Sequence, residues 1–431
     1  MITKEEEAAD AAVQEHLPYL VRILQELVRT PSENRPPFGN EGPCQEKFAS
    51  CLAELDVRPD MYQVDSVPGL DSHPLYRPGR DYAGRTNVNG VLRGVGGGRS
   101  LVLSGHMDTV PAHTPMEWRH APFGAEITGG CLYGRGAWDM KAGIAMNLAV
   151  VRALRQSGVR LAGDLIVESV ADEEFGGVNG TLAARLRGYL ADGAVIGEPT
   201  SLRICPAQRG GRIVHIELFG DGGILQGGAA AAGIAEQLAY LLRRFHILSE
   251  RRRSRVLLDP YYAYCTNPFA VSVTNVSTGE WGWTQPIAVA ERCRIEIAWQ
   301  AMPSEPEAEV EAEFRAWWRE TIGNRPDLFG SEPRVESPIA WIPGCAISPD
   351  SPLVQEFARS AESVGLTPPI EGLDAPSDMY IFQLGFGIPA IMWGPAGGRA
   401  HQADEFVELD SLLRATRALM RFVLRWCKVA S

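Results

Sequence analysis

Four short apolar runs, each followed by an imidazole or a carboxylate, constrain this chain more than any other feature. They are Leu101-Val102-Leu103 before His106, Leu165-Ile166-Val167 before Glu173 and Glu174, Ala194-Val195-Ile196 before Glu198, and Ile388-Pro389-Ala390-Ile391-Met392 before His401. Runs of that length bounded by turn residues read as buried strands. In open α/β sheets, ligands collect beyond the carboxyl ends of parallel strands, because the strand-to-helix loops converge there. One site assembled from four distant segments is therefore expected. Helical patterns lie between the runs: Ile144, Leu148, Val151 and Leu154 share a face, and a last helix capped by Asp410 carries Leu412, Leu419, Met420 and Val423.

The rest of the chain divides around this pattern. Thr3 and Glu6 have capping-box spacing, and Leu17, Leu20, Leu24, Leu27 and Val28 recur at helical spacing, so the chain opens with a helix ending near Thr30-Pro31. Another helix is expected around Glu46 to Leu55, and residues 56 to 98 read as short strands and loops, with a Pro-rich stretch from Val67 to Tyr82. From 211 to 331 the text changes. An alternating strand, Arg212 to Leu218, is followed by an amphipathic helix through Ile234, Leu238, Leu241, Leu242 and Phe245, strands at Phe269 to Val273 and Cys293 to Trp299, and a helix from Glu305 to Trp318. That order predicts an inserted α+β domain at 211–331, which splits a main domain into 1–210 and 332–431.

Charge narrows the partners. Lys and Arg number 41 against 53 Asp and Glu, a net charge of −12, and that field repels phosphate backbones and anionic lipid. No nucleic acid and no membrane is expected as partner. The one basic cluster, Arg243, Arg244, Arg251, Arg252, Arg253 and Arg255, lacks interleaved aromatics and reads as a solvated helix end. The N-terminus is acidic where a secretory signal would be basic, and eight scattered cysteines form no C-x-x-C pair. A cytoplasmic protein with free thiols is expected.

The candidate site residues can be weighed one by one. In Ser104-Gly105-His106-Met107-Asp108, residues two apart in extended chain project to one face, so His106 can act as a metal ligand with Asp108 fixing its tautomer. A surface turn after a buried strand would look similar. Asp139, in Tyr133-Gly134-Arg135-Gly136-Ala137-Trp138-Asp139-Met140, precedes a helix and reads equally as an N-cap or as a ligand. Asp172-Glu173-Glu174 stacks like charges, which a cation relieves if one acid binds it and the other stays free as base; a solvated acidic loop is the alternative. Glu198 and His401 are weak alone. Taken together, two His and three carboxylates suit zinc or another first-row divalent ion, and suffice for two ions sharing one carboxylate.

With these motifs in this order, the chain resembles the dinuclear zinc amide hydrolases that include acetylornithine deacetylase, succinyl-diaminopimelate desuccinylase, aminoacylase and glutamate carboxypeptidase. The resemblance implies a three-layer α/β zinc-peptidase-like catalytic domain with an inserted, smaller α+β lid that also serves a homodimer. It implies that His106 and Glu198 hold one ion, His401 and Glu174 the other, and that Asp139 bridges them. Asp108 would buttress His106, Glu173 would be the general base, and the Asp139-Met140 bond would be cis. The cofactors implied are two divalent ions, zinc before cobalt or manganese.

The lid departs from that family. Where relatives carry a His for the partner subunit's site, Gly220 to Gly228 has none, with Ile224 near the place; their lid Asn falls around Trp283, and their Arg aligns with Gln300 ahead of Pro303. An Arg fork is the natural partner of a carboxylate. Its absence points away from a plain N-acyl amino acid and towards a neutral or aromatic N-acyl or N-formyl amine, with Trp281 and Trp283 as stacking surface. An alternative is that His246, Asn275 or Arg399 takes over. The sequence thus predicts a metal-dependent hydrolase that cleaves the amide of a small N-acylated amine or amino-acid derivative. A non-catalytic relative that binds a small molecule or partner in the metal cleft is the competing reading, disfavoured because a pure scaffold has no use for Glu173.

Overall fold

A computed structural model describes residues 3–112, 117–220, 223–224, 233–265, 270–278 and 288–430. The chain divides into two compact units: one of residues 1–207, 346–373 and 377–431, the other of residues 208–345 and 374–376.

The first unit is built on a mixed sheet. Among its strands are β1 (Pro59–Gln63), β2 (Thr86–Leu92), β3 (Leu101–Ser104), β4 (Leu165–Ser169), β5 (Ala194–Ile196), β6 (Ile204–Gln208), β7 (Ile370–Leu373) and β8 (Ala390–Met392). Across the body of the sheet the order is β6, β8, β5, β3, β4, β2, β1. The four central strands, β8, β5, β3 and β4, are mutually parallel, and antiparallel strands flank them. These four are the apolar runs of the sequence. They are buried on both faces, as central parallel strands covered by helices must be.

Period-two alternation divides the layers. Val88, Leu165 and Val167 join a core made with the helices Leu17–Arg29, Lys141–Ser157, Pro352–Glu362 and Leu409–Cys427. Their neighbours work on the opposite face, where Asn87 donates to the Gly180 carbonyl, Asn89 donates to Glu168, and Arg185 of the helix Asn179–Leu186 pairs with Glu168 and stacks on Phe382. The opening helix is two helices, Lys4–Glu15 and Leu17–Arg29, divided at His16, and the Thr3/Glu6 capping box forms. Asp410 does not cap the last helix: that helix starts at Leu409 with Glu408 at the cap position, and Asp410 lies in its first turn.

A second, small sheet went unread in the sequence. Its order is Gly397–Gly398, Phe406–Glu408, Cys131–Tyr133, Glu126–Thr128. Strands of two and three residues leave too little periodicity to detect.

The second unit is an antiparallel sheet ordered Val271–Thr278, Arg292–Ala301, Gly210–Phe219, Arg334–Glu336, with helices Ile234–Leu258 and Glu307–Gly323. Val214, Ile216 and Leu218 meet Cys293, Ile295, Ile297 and Trp299 in one core with Leu241, Phe245 and Trp317. This unit continues to Cys345, beyond the expected boundary at 331, because Arg334–Glu336 pairs with the Gly210–Phe219 strand and Ile342 bridges Gly211. The basic cluster is not left unpaired: Arg252 and Arg255 bind Glu305 and Glu313, and Arg244 binds Glu320. Among the described residues no helix is long and apolar enough to cross a membrane.

Candidate metal centre

The residues that follow the four parallel strands converge. His106 lies two residues past β3, Glu173 and Glu174 follow β4, Glu198 follows β5, and His401 sits in the hairpin between Gly398 and Phe406. Asp139 comes from the loop between Tyr133 and the helix Lys141–Ser157. It does not cap that helix: Met140 is the cap residue and no side chain caps it. The Asp139-Met140 bond is cis.

Two donor groups result. His106, Asp139 and Glu198 form one, and Asp139, Glu174 and His401 the other, with the donor atoms of each within 4.8 Å of one another. Asp139 is common to both: its Oδ1 stands 3.4 Å from His106 Nε2 and its Oδ2 3.3 Å from His401 Nε2. Glu174 Oε2 is 3.3 Å from the same His401 nitrogen. Glu173 Oε2 lies 3.8 Å from His106 Nε2, in neither group.

The electrostatics of the cluster follow from its burial and its crowding of like charges. Burial pushes Glu173, Glu174 and Glu198 above the usual carboxylate range, His106 or His401 counters this, and neighbouring carboxylates add to it. Desolvation pulls both imidazoles down, the fully buried His106 and the half-exposed His401, whose inner edge faces the cluster, yet the acids around them outweigh it; His401 is pushed up to about 11. Glu198 Oε1 is buried without a hydrogen-bond partner among the described residues. A buried, unpartnered carboxylate oxygen is costly unless something positive meets it. Imidazole nitrogens and carboxylate oxygens gathered in two groups are donors that divalent first-row cations accept, so the residues present fit two such ions.

Asp108 anchors this arrangement. Its carboxylate accepts hydrogen bonds from the backbone N–H of Glu173 (3.1 Å to either oxygen) and of Glu174 (2.9 Å), and from Asn34 Nδ2 (2.8 Å). Burial opposes its ionisation, but His106, Arg85 and Asn34 hold it well below the usual range. The His106 Nδ1 is nearer to the Asp108 backbone oxygen (2.9 Å) than to its carboxylate (3.6 Å). Asp108 therefore orients His106 largely through the main chain, and its carboxylate mainly fixes the acidic loop.

Several supporting residues were missed by sequence reasoning. Asp172 is not solvated: Tyr82 donates to it at 2.5 Å, Asn34 at 3.2 Å and Arg85 at 3.3 Å, and Arg85 also grips Glu41. The Pro-rich stretch, a loop of no assigned role, thus buttresses the acidic segment; its Arg77 exchanges backbone hydrogen bonds with the Asn179 side chain. Glu405 accepts from four donors around the Asp139 loop. Its only sequence signal was its place four residues after His401.

In the second unit, Gln300 accepts from Arg209 Nη1 at 2.6 Å and donates to the Asp374 backbone at 3.1 Å, so both ends of the amide at the expected Arg position are engaged. Asn275 and His246 are exposed, and Arg399 binds the Ala403 carbonyl. Trp281, Trp283 and the Ile224 side chain lie outside the described residues.

Comparison with known proteins adds a family and two named relatives. Residues 102–425 match the model of a family described as Peptidase family M20/M25/M40. A Bacillus subtilis (strain 168) protein, described as N-formyl-4-amino-5-aminomethyl-2-methylpyrimidine deformylase, is 29% identical over 96% of each chain. A Halalkalibacterium halodurans protein of the same description is 26% identical over 97% of this chain and 96% of its own. Among solved structures, the di-peptidase Dug1p from Saccharomyces cerevisiae shares the fold, with a TM-score of 0.77 at 13% identity over 100% of both chains. The activity named for the first two is none of the four to which the sequence was likened.

Proposed function

We propose that this chain, which belongs to the peptidase family M20/M25/M40, removes the N-formyl group from an aminomethyl-substituted aminopyrimidine. It is a metal-dependent hydrolase of the amide bond of a small N-acylated amine. The observation that carries the reading is the pair of donor groups sharing Asp139, with Glu173 beside them and bound to neither.

The roles follow from that placement. His106 and Glu198 would hold one ion, Glu174 and His401 the other, and Asp139 both; zinc suits this donor set best. Bound divalent ions supply Lewis acidity, polarising the formyl carbonyl and lowering the pKa of water. Glu173, in neither donor group and 3.8 Å from His106 Nε2, is placed to take a proton from the attacking water. As the water oxygen bonds to the formyl carbon and the C–N bond breaks, Glu173 returns that proton to the leaving nitrogen. Formate and a primary amine result. Asp108 keeps Glu173 in place through its backbone N–H.

The substrate class rests on a match between chemistry and missing groups. The compound named for the two relatives is a neutral aminopyrimidine without a carboxylate, and offers nothing for an Arg fork to grip. This chain has Gln300 where the family's Arg is expected. A cytoplasmic location and a homodimer through the second unit belong to the same proposal; all eight cysteines are free thiols, as a reducing compartment would keep them.

Formate release from N-formyl-4-amino-5-aminomethyl-2-methylpyrimidine tests the reading, run beside N-acetylornithine, N-succinyl-diaminopimelate and a folyl-glutamate. Turnover of the formylpyrimidine alone is expected, lost on chelation and restored by added divalent metal. Efficient turnover of a carboxylate-bearing compound in its place would refute the substrate assignment, and indifference to chelators would refute the metal.

A further inference from the structure

The two donor groups are carried by very different supports. His106, Glu173, Glu174 and Glu198 follow strands of one sheet. Asp139 and His401 lack such close anchorage: the first lies on a glycine-containing loop, the second well past the end of β8, in a hairpin where Arg399, His401 and Asp404 all have φ near +60°, a region L-residues enter at a cost. Something must hold these two loops in register.

The small sheet begins that work. Phe406 pairs with Tyr133, so the residues just beyond, Glu405 and Gly134, are opposite one another, and the Gly134 N–H donates to the Glu405 carbonyl at 2.9 Å. The Glu405 side chain then turns along the Asp139 loop. Its Oε2 accepts from Arg135 Nη1 at 2.7 Å and from the Gly136 N–H at 3.0 Å; its Oε1 accepts from the Trp138 N–H at 3.0 Å and the Asp139 N–H at 3.1 Å. The carboxyl group is 1% exposed, so these bonds are made away from water, where they are strong and geometrically demanding. Arg135 is itself buried over the Trp118 ring.

We propose that Glu405 is a positioning residue for the metal centre: one carboxylate clasps the loop of Asp139 to the hairpin of His401, and so sets the Asp139–Glu174–His401 donor group. The inference rests on the two-ion reading above and adds a direction to it. His106 and Glu198 sit on strand ends that Glu405 does not touch. Asp139 serves both groups, but the His401 group draws two of its three donors from the clasped loops and the His106 group only one, so loss of the clasp weakens the site containing His401 more than the site containing His106. A residue that merely stabilised the fold would affect both sites alike.

Zinc titration of chelator-stripped protein, read by competition with a chromophoric chelator, separates these outcomes. Wild type should show two sites. Glu405→Gln, which places an NH2 group against donors it cannot accept from, should weaken one site by about 10–100-fold, the range typical for groups that orient ligands, and the other by a clearly smaller factor. Arg135→Lys keeps the three amide bonds and a cation, so it should retain both wild-type affinities while lowering the unfolding midpoint. Glu405→Asp, one methylene short of the amides, should reproduce the unequal loss if the Gln variant folds poorly. Two wild-type affinities in folded Glu405→Gln, or equal weakening of both sites, would overturn the clasp alone. Wild-type protein that takes up no zinc would overturn the two-ion reading and the clasp with it.

Discussion

The two imidazoles of the metal centre make an instructive pair. The His106 side chain is 1% exposed, set two residues beyond a central strand, with its Nδ1 held by backbone oxygen. The His401 side chain is 53% exposed, on a hairpin joined to the body by two- and three-residue strands. Both point an Nε2 at the same Asp139 carboxylate. The difference shows that equivalent donors can be pre-organised in two ways: by a strand that the core already fixes, or by a hydrogen-bonded clasp of loops that the core does not reach.

Replacing each imidazole in turn is the most severe test of that contrast. His106→Ala and His401→Ala should each lose one metal equivalent by elemental analysis and nearly all turnover. His106→Ala should also destabilise the metal-free chain more than His401→Ala does, by about 1–3 kcal/mol in denaturant unfolding, because it empties a fully buried position and leaves buried polar groups without a partner. Equal stability of the two variants would remove the distinction between buried and open supports.

Glu173→Gln comes next in size. A drop in kcat of roughly 10²–10⁴, or about 3–5 kcal/mol of transition-state stabilisation, is expected with both metal equivalents retained. Retained turnover would take the base role away from Glu173, and loss of metal would make it a ligand.

Smaller effects lie on the buried side. Asp108→Asn keeps the shape but halves the acceptors offered to the Glu173 and Glu174 N–H groups, and should weaken metal binding by about 10–100-fold in the same titration. Unchanged affinity there would mean that the acidic loop is held by Asp172 and its partners instead. Asn34→Ala, which removes a donor shared by Asp108 and Asp172, should lower unfolding free energy by about 1–3 kcal/mol with metal stoichiometry intact.

Much of this was legible in the sequence because it is local. Four apolar runs of strand length became the four parallel strands, and the His, Asp and Glu residues singled out beyond them lie together in space. The strand-helix-strand-strand-helix order of the second unit was readable for the same reason, from its period-two and period-3.6 patterns. Its last strand, Arg334–Glu336, was not: three residues, two of them charged and exposed, give no alternation to read. Asp410 read as a cap because Asp before an apolar run is a common cap, and here Glu408 occupies that position.

Residue chemistry and periodicity are properties of neighbours along the chain, so the sequence by itself determined which elements form and which donors they carry. The division of those donors into two groups around Asp139, the burial of Asp172 under Tyr82 and Arg85, and the grip of Glu405 on residues some 270 positions earlier were decided only by the tertiary structure. Each depends on hydrogen bonds between segments remote in sequence. Such bonds follow no period, and an acidic side chain reads the same on paper whether it ends in water or against three backbone amides.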